Sequence, residues 1–158
     1  MVDFVAQHVV RAEIEAVWAV VSAPERSPEW FEGVDRAEAD GPPGTGQRHT
    51  IGGPWGNVRF EIDRIVDRWL PPRAVVWRDV DERLDGVPPE HMWHEESTLT
   101  IALEPQEDET LVTLHGRQLP ASEVWRERLL ASIPASEARL ERSLERLAAL
   151  VESGLETK

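Results

Sequence analysis

An α+β fold follows from the periodicity of the chain: a curved antiparallel sheet of about seven strands wrapped around one long C-terminal helix, with two short helices after the first strand. Three observations carry it. Residues 2–10 alternate apolar and polar with period two, after which the apolar spacing becomes helical as far as Pro24. From about residue 47 to 117 strand patterns follow one another, broken by turns, and from Ser122 onward the pattern is helical again. A lone antiparallel sheet with one apolar face needs a cover, and only the last helix is long enough to be it. Side chains alone do not fill the space between a strongly curved sheet and a single helix, so a pocket is expected there.

Taken in order, the first strand places Phe4, Ala6, His8 and Val10 on one face and Asp3, Gln7 and Arg11 on the other. That register turns His8 inward. Ile14, Val17, Trp18 and Val21 then recur at i, i+3, i+4 and i+7, which predicts a helix of about three turns. Ser22 with Glu25 reads as a capping box, and Ser27 before Pro28 reads as a cap for a short second helix carrying Trp30 and Phe31. The run GPPGTG at 41–46 is glycine-rich, but no Lys-Ser/Thr pair and no long helix follow it, so it reads as a turn between strands and not as a phosphate loop.

Within the strand region, Val58, Phe60, Ile62 and Val66 share a face, and Arg64 falls on it. After the Pro71–Pro72 turn, RAVVWRDV is apolar on both faces and leaves open which of Arg78 and Asp79 points inward. Leu99, Ile101 and Leu103 define another inner face that, carried backward, includes Ser97, Glu95 and Trp93. EPQEDET at 104–110 reads as an acidic hairpin turn, and the last strand, marked by Val112 and Leu114, turns His115 outward. In the final helix Trp125, Leu129 and Ile133 form a stripe that resumes at Leu140, Leu144, Leu147 and Val151 beyond Pro134. A proline there makes either a fixed bend or a hinge for a lid over the pocket.

Composition narrows the function classes. With 158 residues, 41% hydrophobic and 30% charged, one globular domain spanning 1–158 is expected. Seventeen basic against 30 acidic residues give a net charge of −13, which disfavours nucleic acid and anionic membrane surfaces as partners. The absence of cysteine removes disulfides, thiolate nucleophiles and cysteine-bound zinc. No segment has the pattern of a signal peptide or the ~20 apolar residues of a membrane span, so a cytoplasmic location without membrane insertion is expected. There is no tyrosine, and the only lysine is Lys158, which argues against Schiff-base chemistry. No serine sits in a nucleophile elbow. Charge does not decide between monomer and homodimer.

The order of elements and several local motifs resemble the SRPBCC superfamily, the START-like helix-grip proteins that include polyketide cyclases. The motifs are Val17-Trp18 in the first helix, Pro28-Glu29-Trp30 at the end of the second, the GPPGTGQRH turn, and DRWLPPRAVVW before an aromatic strand. Nearly the whole chain takes part. The resemblance implies a sheet of about seven strands gripping the last helix around a cavity for an apolar ligand. Members include aromatic polyketide cyclases, lipid or quinone carriers, chaperone-activator-like domains and self-sacrificing resistance proteins for enediyne antibiotics. Fold membership alone does not choose among them. Cyclases of the family use cavity Tyr and Arg side chains, and the lack of tyrosine here departs from that pattern.

The candidate chemistry lies on the expected inner faces. His8, Arg64 and Glu95 are the polar candidates for polarising a carbonyl and moving a proton. Their ordinary alternative is a structural ion pair, or a position at the rim. Trp55, Trp77, Trp93 and Trp125 are expected around a flat ligand, with Phe60, Ser97 and Leu129 beside them, although large aromatics also fill cores. His91 and His94 are three apart, which on a strand puts them on opposite sides, so a metal is not expected; no organic cofactor is expected either. The function expected is binding of a hydrophobic, polycyclic aromatic or polyketide-like molecule. The alternatives are a cyclase, aromatase or dehydratase acting on it, or antibiotic self-resistance by sequestration or self-sacrifice.

Overall fold

The computed structural model describes residues 1–87 and 94–156. It has the expected helix-grip architecture: β1 (Val2–Val10), α1 (Ile14–Val21), a 3-10 turn (Pro24–Arg26), α2 (Ser27–Trp30), six further strands and one long helix. The strands are β2 (Arg36–Asp40), β3 (Arg48–Trp55), β4 (Val58–Leu70), β5 (Ala74–Leu84), β6 (His94–Gln106) and β7 (Glu109–Pro120), and the helix is α3 (Glu123–Glu156). They form one antiparallel sheet in the order β1-β7-β6-β5-β4-β3-β2. β1 and β2 are thus opposite edges, and the segment 11–35 carries the chain from one to the other. Among the described residues no helix is long and apolar enough to cross a membrane.

Local chemistry explains where the elements differ from the periodicity. α1 has two turns instead of three, because Ser22 folds its hydroxyl back to donate to the Trp18 carbonyl at 2.6 Å and ends the helix. No side-chain cap forms at Ser22 or Ser27; Arg26 stands at the α2 N-cap and Ser27 lies inside the helix. β2 alternates Arg36, Glu38 and Asp40 with Ala37 and Ala39, but it is short, mostly exposed and carries only alanine on its apolar face, so its signal is weak. The glycine-rich run 41–46 is the turn between β2 and β3. α3 continues through Pro134 without a break.

The sheet is curved by register shifts, at Asp63/Arg64 and Val66/Arg68 in β4 and at His94/Glu96 in β6. Its concave face and the C-terminal half of α3 enclose the core. Ile101, Leu114, Val75 and Val112 from the sheet meet Leu140, Leu144, Leu147 and Val151 from the helix, all between 0% and 5% exposed. Polar contacts fix the same stretch of helix. Ser143 Oγ accepts from the Glu32 amide at 3.0 Å, Arg142 Nε donates to Glu32 Oε2 at 2.7 Å, and Glu137 accepts from the Val5 amide at 3.0 Å.

Candidate functional site

Toward its N-terminus α3 leaves the sheet, and the space between them is a cavity of about 590 Å³. That volume suits a drug-sized ligand. The apolar wall is built by alternation along the strands: Phe4 from β1, Ile51 from β3, Phe60 and Ile62 from β4 and Leu99 from β6. Trp125 and Leu129 close it from the helix. Gly116 on β7 leaves room for the Phe4 ring, which lies where a Cβ would otherwise stand.

The polar groups gather on the sheet wall. Arg64 is 6% exposed, its guanidinium carbon lies 4.4 Å from the centre of the Trp77 ring, and its Nε is buried without a hydrogen-bond partner among the described residues. Burial lowers its pKa to about 10, while the attraction of Asp79 works the other way. Burial pushes the Asp79 carboxyl up; Arg64 and a hydrogen bond from Ser97 oppose that. Gln118 in turn donates to Ser97 Oγ at 3.4 Å. Next to this chain, His94 Nε2 donates to Glu82 Oε1 at 2.8 Å, both side chains being buried. Behind Arg64, His49 is held neutral, its pKa lowered to about 4 by burial first and by Arg64 second.

These positions depend on bulges. Asp79 and Glu82 are three apart on one strand and would face opposite sides in a regular one. Arg64 pairs with Asp79 and Asp63 with Asp81, so Val80 is the extra residue, and both acids reach the cavity. The same device corrects the expectation for Glu95. Between His94 opposite Pro120 and Glu96 opposite Leu119, Glu95 has no partner on β7 and is exposed, while His94 takes the inner place.

The other expected site residues fall as follows. Trp55, Phe60, Arg64, Ser97, Trp125 and Leu129 border the cavity. Trp77 is 4% exposed, in the core beneath Arg64, and does not border it. His8 is on the inner face of β1, half-buried and outside the cavity wall. Trp93 and His91 lie outside the described residues. Of the pair left open in β5, Asp79 faces in and Arg78 stands near Asp67 at 3.5 Å on the outer face. His115 pairs with Asp3 across the outer face at 2.8 Å.

Asp79, Glu82 and His94 bring ligand atoms within 4.8 Å of one another, a donor set able to hold a divalent cation. A cation there would have to replace the Glu82–His94 hydrogen bond and face the Arg64 charge. The protein's own groups already match one another. What the cluster offers instead is a hydrogen-bond donor, a raised carboxyl and a second carboxylate, Glu82, on the wall of an apolar space with His94 hydrogen-bonded behind it, the parts needed to orient a ligand oxygen and move a proton.

Comparison with known proteins agrees with this geometry. Residues 1–152 match the family model described as polyketide cyclase/dehydrase and lipid transport. No curated protein matches the chain in sequence. Among solved structures, it is similar to the di-domain aromatase/cyclase StfQ from the steffimycin biosynthetic pathway, with a TM-score of 0.76 at 12% identity over 98% of this chain and 52% of that one. It is similar to the Zhui aromatase/cyclase from Streptomyces sp. R1128, at TM-score 0.70 and 13% identity over 96% and 93% of the two chains. XoxI from Bacillus cereus is likewise similar, at TM-score 0.72 and 13% identity over 96% of each. At such identities the likeness concerns the fold.

Proposed function

Since the chain belongs to the polyketide cyclase/dehydrase and lipid transport family, we propose that it binds a hydrophobic, polycyclic aromatic or polyketide-like molecule between the sheet and α3. The observation that carries this is the cavity of about 590 Å³, apolar around Phe60, Ile62, Leu99 and Trp125 and polar at Arg64 and Asp79. A flat oxygenated ligand matches both characters. Native mass spectrometry with a panel of aromatic polyketides tests it: a 1:1 complex is expected, and no complex with any member would overturn it.

A second reading, turnover of the ligand, is favoured by the pairs Arg64–Asp79 and Glu82–His94. In a dehydration, Arg64 would polarise the ligand carbonyl and the raised Asp79 carboxyl would protonate a leaving hydroxyl. The histidine–carboxylate pair would take the adjacent C–H proton, so that one water departs. Returned ligand lighter by one water, with Asp79→Asn still binding but no longer converting it, is the expected sign. A ligand always returned unchanged would leave binding as the function.

A further inference from the structure

The helix wall of the cavity carries a polar stripe that an apolar ligand does not need. Ser132, Ser136 and Arg139 recur at i, i+4 and i+7 along α3, which puts them on one face, and all three border the cavity. Arg139 holds the withdrawn charge of this wall, whereas Arg128, which also borders the cavity, is exposed and lies 4.8 Å from the centre of the Trp125 ring. Its guanidinium carbon lies 5.8 Å from the centre of the Phe31 ring, and its Nε is buried with no hydrogen-bond partner among the described residues. Glu32, the carboxylate whose attraction reaches it, already accepts from Arg142 at 2.7 Å. Burial lowers the Arg139 pKa, Glu32 only partly offsetting it.

Arg64 on the opposite wall differs in one respect. Its charge faces Asp79, so the pair together is balanced. Arg139 has no such partner to itself. A guanidinium withdrawn from water costs free energy unless an acceptor meets it, and its planar fork suits a carboxylate.

We infer that the ligand is an acid: a flat aromatic body in the cavity, with a carboxylate held by Arg139 and the Ser136 hydroxyl on the helix wall. This rests on the reading of the cavity as an aromatic-ligand site and adds the ligand's charge and orientation. On the sheet wall Asp79 already faces the Arg64 charge and the Glu82 carboxylate stands nearby, so the acid head turns to α3 and a neutral carbonyl or hydroxyl is left for Arg64.

Anthracene-9-carboxylate and anthracene-9-carboxamide, close in shape and different in charge, test the inference by fluorescence titration at fixed ionic strength. The wild-type protein is expected to bind the acid about tenfold more tightly than the amide. Arg139→Met should abolish that gap while holding the amide within about threefold of its wild-type affinity, a change of under ~1 kcal/mol. Arg139→Gln, which keeps a polar side chain, is a second variant with the same expectation should the first not fold. Equal wild-type affinity for acid and amide, or a gap that survives both substitutions, overturns the inference and leaves the aromatic-ligand reading standing. Binding of neither probe to the wild-type protein overturns both.

Discussion

The two halves of α3 have the same backbone and opposite surroundings. From Leu140 to Val151 the helix buries a continuous leucine stripe, with Leu140, Leu144 and Leu147 at 0–1% exposure, and Ser143 and Arg142 tie it to Glu32. From Glu123 to Ser136 it touches little but the cavity, and Val124 and Leu130 are 59% and 43% exposed. The C-terminal half holds the fold; the N-terminal half borders the cavity. The boundary falls near Pro134, whose ring removes a helical hydrogen bond where the helix stops packing on the sheet.

Breaking the packed half should therefore cost far more than breaking the open half. Leu144→Ala is expected to lower stability by about 2–5 kcal/mol, while Leu129→Ala lowers it by under ~1 kcal/mol and instead weakens binding of an aromatic probe several-fold. Urea unfolding and probe titration of both variants measure this, and equal stability losses would erase the distinction. A pH scan reaches the sheet beneath the cavity. His49 is held at about 4 in the fold against 6.5 when exposed, so the unfolded chain takes up a proton first as pH falls. Stability present above pH 6.5 should then decline by up to about 3 kcal/mol by pH 4, and His49→Gln should flatten that part of the curve.

Two smaller effects sharpen the comparison. Gly116→Ala puts a methyl group against the Phe4 ring. It should cost about 1–3 kcal/mol and change probe affinity as the ring is displaced. Pro134→Ala, at an exposed position inside the helix, should raise stability by about 1 kcal/mol, the restored hydrogen bond outweighing the added freedom of the unfolded chain. A loss of stability instead would mean that the packed half depends on the proline.

Much of the packing was legible in the sequence because periodicity reports it. The inner face of β1, the inward turn of Arg64 and the leucine stripe of α3 all follow from counting twos and threes. The site was less legible, since bulges govern it. One extra residue at Val80 brings Asp79 and Glu82 together, and another exposes Glu95 and seats His94, and nothing in local alternation announces either. Arg139 escaped notice because only the apolar stripe of α3 was followed, although Ser132, Ser136 and Arg139 have helical spacing of their own. β2, a five-residue edge strand next to a turn, offers only Ala37 and Ala39 as its apolar face, too small a signal to mark a strand.

The central claim is that the open half of α3 and the sheet hold a small molecule between them. Ser136→Trp would fill that space from the helix while leaving the leucine stripe untouched. Isothermal titration of an aromatic polyketide into the wild-type protein and into this variant is the most direct test. Saturable 1:1 binding to the wild type, lost in a variant that still unfolds cooperatively, is the result expected. Binding that the tryptophan leaves unchanged, or no binding to the wild type, would contradict the account.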